Sequence, residues 1–213
     1  MEGSGHSTGP AFADAYPAED PVAAVARGRA AEVGCFSPSP GAGSVLRLLA
    51  AASLAKAVVE VGTGTGVSGL WLLGGMRPDG VLTSIDGEPE YQRMARAAFR
   101  EAGVAPGRYR LINGRALDVL PRLADSSYDL VVVMDAPRAA CPDYLAAALR
   151  LLRPGGVVAF AGVLADGRVT DPSARDEDAV AMRELLRIVH DHAHLVSAVI
   201  PVGDGLLAAA THT

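Results

Sequence analysis

Val58-Val59-Glu60-Val61-Gly62-Thr63-Gly64-Thr65-Gly66-Val67-Ser68 runs from a β-branched segment, through three glycines at alternate positions, into the start of a helix. Backbone without side chains lets a ligand approach closely, and the helix start behind it offers unpaired N–H groups and the positive end of the helix dipole. A GxGxG alone says little. Here it follows a strand and opens a helix, and Asp86 ends the next apolar strand 24 positions after Gly62, where a ribose diol would be held.

Outward from this stretch, short β-branched runs alternate with amphipathic segments. Strands are expected at Ala57–Val61, Val81–Asp86, Tyr109–Ile112, Leu130–Met134 and Val157–Ala161. Helices are expected between them at about Ser68–Met76, Pro89–Ala102, Ala116–Leu123 and Pro142–Leu152, the last closed by Arg153-Pro154-Gly155-Gly156. This alternation predicts an α/β fold: right-handed βαβ units forming a doubly wound, mostly parallel sheet covered on both faces. A further helix at about Ala174–His190 precedes Leu195–Ile200 and Leu206–Ala210, which Pro201–Gly205 joins as an antiparallel C-terminal hairpin at the sheet edge.

Upstream, residues 1–17 are rich in Gly, Ser, Ala and Pro and read as a frayed arm, leaving 18–213 as one domain. Asp20-Pro21 starts a helix through about Ala31, and the turn Ser37–Gly41 leads to a second helix with Val45, Leu48, Leu49 and Ala52 on one face. That apolar face and the edge hairpin predict a homodimer.

The chain has 213 residues, half of them hydrophobic, and a net charge of −5, which argues against a protein that binds duplex nucleic acid by neutralising phosphates. No apolar leader or spanning segment is visible, so a cytoplasmic protein away from membranes is expected. Cys35 and Cys141, far apart and outside any CxxC, read as free thiols. Lys56 is the only lysine.

Two nucleotide cofactors suit a glycine loop followed by an acidic strand end. A dinucleotide site spaces its glycines as GxGxxG, whereas this chain has GxGxG with Glu60 two residues ahead. A carboxylate there is badly placed beside a pyrophosphate and well placed for the ammonium of a bound amino acid. The balance therefore favours S-adenosylmethionine over NAD.

From about residue 35 onward the chain resembles the class I, S-adenosylmethionine-dependent O-methyltransferases of the catechol and caffeoyl-CoA type, especially their small bacterial members. The resemblance is carried, in order, by Glu60–Trp71, Thr83–Asp86, Gly114–Pro121, Tyr128–Asp135, Leu151–Gly156, Asp166–Val169 and Pro201–Leu207. It implies a seven-stranded sheet and a homodimer, with Gly62, Thr63 and Gly64 at the methionine end and Ser68 on its carboxylate. It further implies Asp86 and Gly87 at the ribose, Arg115 and Ala116 beside the adenine, Asp135 next to the cofactor, and Ser37 closing over it.

The resemblance also implies a divalent cation, held by an Asp after the fourth strand and an Asp-Asn pair after the fifth. Asp135 matches the first, but Ala161-Gly162 stands where the pair belongs, and neither side chain can bind Mg²⁺. No metal site is expected. The family's lysine base, three residues after the metal Asp, is replaced by Arg138, which cannot accept a proton at physiological pH. Arg138 either stabilises a developing phenolate or grips an anionic group, or it is a solvated surface arginine. Asp135 is a base, a group near the methyl-transfer centre, or the cap of the following turn.

Weaker signals are His190, His192 and His194, which suit a helix end better than a metal; Trp71, read as core; and Arg175–Asp178, read as a solvated helix start. The leading expectation is methyl transfer from S-adenosylmethionine to the hydroxyl of a small molecule. Its rivals are a cofactor-binding protein that has lost catalysis and a methyltransferase acting on a modified nucleotide in RNA.

Overall fold

The computed structural model describes residues 9–212. Its seven strands are β1 (Ala57–Val61), β2 (Val81–Asp86), β3 (Tyr109–Asn113), β4 (Tyr128–Val133), β5 (Leu152–Ala161), β6 (Leu195–Ile200) and β7 (Leu206–Thr211). They form one sheet in the order β3-β2-β1-β4-β5-β7-β6. Neighbours among β1 to β5 pair in parallel, and β7 runs antiparallel between β5 and the edge strand β6. This is the doubly wound, mostly parallel α/β sheet with an antiparallel C-terminal hairpin that the sequence predicts.

The central strands carry apolar residues on both faces because both faces are covered. Val59, Val61, Val131 and Val133 enter one buried cluster with Leu145, Leu185 and Phe160, while Val58, Leu130 and Val132 enter another with Leu46, Leu72 and Phe99. Successive strand residues point to opposite faces, so a continuous valine run feeds two cores at once. The helices on these faces are α1 (Gly9–Ala15), α2 (Pro21–Glu32), α3 (Pro40–Ala52), α4 (Val67–Gly75), α5 (Pro89–Glu101), α6 (Ala116–Val119), α7 (Cys141–Leu151) and α8 (Glu177–Asp191). One carboxylate ties the strand starts together: Asp129 accepts the N–H groups of Lys56 (2.7 Å) and Ala57 (2.8 Å) and pairs with Arg153 on β5 (2.6 Å).

Several elements differ from expectation. Within the stretch read as a frayed arm, Gly9–Ala15 is helical, and Ser39 Oγ donates to its Asp14 carboxylate; residues 1–8 lie outside the described part. The stripe that α3 buries is Ala42, Leu46 and Ala50, with Leu48 65% exposed and Val45 and Leu49 only partly covered. The i, i+4, i+8 spacing of that stripe, small residues included, lets the helix sit closer to the sheet than the larger side chains would. Helix α6 stops at Val119 and tightens into a 3₁₀ turn over Leu120–Arg122, because Pro121 lacks the N–H that would continue it. Helix α8 begins at Glu177 instead of near Ala174: the Asp176 side chain accepts Ala179 N–H (3.1 Å) and fixes the start. Strand β5 starts five residues before its expected first residue, with Leu152 paired to Tyr128 and an irregularity before Leu130. Trp71 is buried beside Ala26, Val67 and Ala98, a core residue as expected. Among the described residues no helix is long and apolar enough to cross a membrane.

Candidate active site

The C-terminal ends of β1, β2, β4 and β5 converge at one edge of the sheet, the side where parallel α/β proteins place ligands. Gly62, directly after β1, takes φ +87°, and a Cβ there would stand 2.7 Å from the backbone nitrogen of Asp135. The loop after β1 therefore presses against the end of β4 in a way only glycine permits. Gly64 N–H donates to Asp86 Oδ2 (2.9 Å), and Glu88 N–H donates to Oδ1 (2.9 Å). These two bonds aim the Asp86 carboxylate into the cleft and leave each oxygen with acceptor capacity.

Behind the loop, strand register sets Glu60 opposite Ser84. The Ser84 hydroxyl donates to Glu60 Oε2 (2.5 Å) and lies 2.7 Å from Thr63 Oγ1, while Glu60 Oε1 has no hydrogen-bond partner among the described residues. Glu60 is fully buried. Burial pushes its pKa from 4.5 up to about 7, with the Ser68 and Ser84 hydroxyls opposing the rise and Asp86 adding to it. A buried carboxylate oxygen with nothing to bind is an acceptor waiting for a cation or donor. That donor set, with the backbone cradle of Gly62–Gly64, fits the amino-acid end of S-adenosylmethionine.

From Gly62 a cavity of about 270 Å³ passes Asp86 and Gly87 to Gly114, Arg115 and Ala116, with Tyr144 and Asp135 on the facing wall. Ala116 is buried, whereas the Arg115 side chain is 85% exposed and lies 4.0 Å from Asp118. Cys35, Phe36, Thr63, Ser68 and Asp135 close a narrower cleft around the glycine loop. Ser37 does not line that cleft; it faces a neighbouring cavity of about 180 Å³ with Gly162 and Asp204.

On the other side of Asp135, toward β5, a cavity of about 80 Å³ is lined by Arg138, Cys141, Phe160, Gly162 and Met182. Burial raises the Asp135 carboxyl above its ordinary range and Asp86 adds to this, while the Arg138 cation opposes it. Arg138 is no solvated surface arginine. It donates from Nη1 to the Gly162 carbonyl and lies 3.5 Å from Asp178 on α8 and 3.8 Å from Asp204. Ala161 ends β5 and Gly162 follows it, so the two positions offer no side-chain oxygen. Across the described residues no three His, Cys, Asp or Glu side chains are grouped to hold a metal ion; His192, His194 and His212 meet edge to face beyond the end of α8. Both cysteines are free, and burial pushes each thiol up to about 11.

Sequence reasoning missed Ser84, Tyr144, Phe36, Asp178 and Asp204. Ser84 left one signal, a hydroxyl pair Thr83-Ser84 inside an apolar strand. The others left none, since they reach the cleft only through tertiary packing.

Comparison with known proteins agrees with this geometry. A family model described as O-methyltransferase matches residues 30–211. A protein of Mycobacteroides abscessus named "Putative O-methyltransferase" is 58% identical over 191 residues, covering 90% of this chain and 88% of the relative. Among solved structures, a Corynebacterium glutamicum protein superposes with a TM-score of 0.87 at 34% identity, covering 95% of this chain and 94% of its own. The O-methyltransferase TomG of Streptomyces achromogenes, solved in complex with S-adenosylmethionine, gives a TM-score of 0.84 at 32% identity over 95% of this chain and 94% of its own. With a family match running from the end of α2 through β7 and a glycine loop, buried Glu60 and Asp86 set at one sheet edge, the chain belongs to the O-methyltransferase family of S-adenosylmethionine-dependent enzymes.

Proposed function

We propose that this chain methylates a hydroxyl oxygen of a small molecule and does so without a divalent ion. The observation that carries the reading is the position of Asp135, which lines the glycine-loop cleft, the long cavity past Asp86 and the smaller cavity toward β5. One carboxylate thus stands where a donor on one side and an acceptor on the other would meet.

In this reading Glu60 takes the ammonium of the cofactor, and Gly62, Thr63, Gly64 and Ser68 hold its methionine end. Asp86 and Gly87 hold the ribose, Arg115 and Ala116 flank the adenine, and Ser37 covers the acceptor side. S-adenosylmethionine, when bound, supplies a sulfonium methyl whose C–S bond breaks as the C–O bond forms, leaving S-adenosylhomocysteine. Asp135 takes the hydroxyl proton, a role Arg138 cannot fill. Holding both reactants at near-attack distance lowers the barrier by up to ~7–11 kcal/mol. The free cysteines suit a reducing, cytoplasmic setting. A homodimer is part of the proposal, supported by exposed Leu48 on α3 and exposed Val196 and Val199 on the edge strand. Light scattering that returned only the monomer mass of 21.8 kDa would remove the dimer.

Calorimetry tests the cofactor assignment. S-adenosylhomocysteine should bind and NAD should not. Binding of NAD with no response to S-adenosylhomocysteine would overturn the reading, and candidate hydroxylated acceptors can then be screened with EDTA present throughout.

A further inference from the structure

The place where the sequence lacks two oxygen ligands is filled by a charge of the opposite kind. A Cβ on Gly162 would stand 3.6 Å from Arg138 Nη2 and 3.6 Å from Asp204 Oδ2, so the guanidinium, the Asp204 carboxylate and the end of β5 converge at one point. Arg138 donates to the Gly162 carbonyl there and is flanked by Asp178 on α8. Each partner is itself held: Asp204 Oδ1 accepts Asp166 N–H (2.8 Å), and Asp178 lies 3.6 Å from Arg168. The guanidinium is therefore fixed from three directions, by a carbonyl and two carboxylates, against the cavity that Asp135 also lines.

We propose that Arg138 is the resident cation of the acceptor cavity, a built-in positive charge that occupies the ground of a divalent ion and attracts the negative charge developing on the acceptor oxygen. This rests on the methyl-transfer reading above. A guanidinium is weakly hydrated and permanently charged, so it supplies that field without the dehydration Mg²⁺ resists. The two carboxylates that hold it also explain why it stays in place: without the cation, Asp178 and Asp204 lose a shared partner close to the Asp135 carboxylate.

The test uses the full chain and needs no known acceptor. Arg138→Ala should melt about 3–8 °C lower than the parent, and millimolar methylguanidinium should recover at least half of that loss in a saturable way, while Mg²⁺ or Mn²⁺ should not. The parent should not respond to methylguanidinium. Recovery by Mg²⁺ or Mn²⁺ as large as by methylguanidinium, or an unchanged melting temperature, would overturn the proposal. Should Arg138→Ala fail to fold, Mn²⁺ titration followed by paramagnetic resonance decides: the parent and an Ala161→Asp/Gly162→Asn variant that keeps Arg138 should both leave millimolar Mn²⁺ free, and submillimolar binding by either would refute it. S-adenosylhomocysteine calorimetry on the same samples separates this outcome from the cofactor assignment, since Arg138→Ala should bind it within about threefold of the parent.

Discussion

The two halves of the cleft are built in different ways. The cofactor half is local: Glu60, Gly62, Gly64 and Ser68 lie within nine consecutive residues, and Asp86 comes from the adjacent paired strand. The acceptor half joins Asp135, Arg138, Gly162, Asp178 and Asp204, drawn from the ends of β4 and β5, from α8 and from the β6–β7 turn. The first half is governed by backbone geometry, where small changes are intolerable. The second is governed by charge balance among partly exposed groups, where single changes cost less.

The sharpest way to break this contrast is a methyl group on the loop. Gly62→Ala places a Cβ 2.7 Å from Asp135 N at φ +87°, and should cost about 2–4 kcal/mol of stability together with most S-adenosylhomocysteine binding. Gly87→Ala, where a Cβ meets nothing within 4 Å, should change stability by no more than about 0.5 kcal/mol. Denaturant melts of the pair settle the comparison, and equal losses would mean that the loop is not under steric control.

Next in size is Asp86→Ala, which removes the acceptor for Gly64 N–H and the proposed ribose partner. Calorimetry should show S-adenosylhomocysteine binding weakened by about 1–3 kcal/mol. An unchanged affinity would move the ribose away from Asp86.

The pH dependence is a finer probe. The folded pKa of Glu60, about 7, lies above its ordinary 4.5, so its protonation favours the ligand-free fold. That contribution is fully present below pH 4.5 and is lost as pH rises through 7. Binding of an ammonium has the opposite sense, because it needs the carboxylate. S-adenosylhomocysteine affinity should therefore rise about tenfold between pH 6 and pH 8, and Glu60→Gln should weaken binding and flatten the profile. A profile equally steep in Glu60→Gln would assign the titration elsewhere.

Smallest is Asp204→Asn in the acceptor half. The pair with Arg138 is long, at 3.8 Å, and a quarter exposed, and Asn keeps an acceptor for Asp166 N–H. Thermal denaturation should register less than about 1 kcal/mol. A larger loss would mean that charge balance there is as unforgiving as the glycine loop.

The same contrast explains what the sequence revealed. Strand positions and direction were legible because valine runs alternating with amphipathic segments admit little besides a two-faced parallel sheet, while the order of the strands was not. The grouping of Glu60, the glycine loop and Asp86 was legible because they share one motif and one neighbouring strand. Arg138 could be read as unable to serve as a base, from side-chain chemistry alone, but its anchoring could not, because Asp178 looks like any acidic residue in a helix's first turn and Asp204 like any turn aspartate. The buried face of α3 was misplaced for a related reason: Ala42 and Ala50 carry little apolar signal, and only the close approach of helix to sheet gives them weight. The helical Gly9–Ala15 has no periodicity to announce it and packs on α3 through Asp14 and Ser39.

Asp129, which gathers the N–H groups at the entry to β1 and the Arg153 side chain of β5 onto one carboxylate, bears on how the chain finds its fold. Valine-rich strands can slide along one another, since each step presents another valine to the same neighbour. A slip of one residue would exchange the two faces of β1 and also carry the Lys56 and Ala57 N–H groups out of reach of Asp129. Mispaired sheets thus leave a partly buried carboxylate without its two backbone donors, a penalty the correct alignment escapes, so this one side chain acts as a proofreader of strand alignment while the sheet assembles.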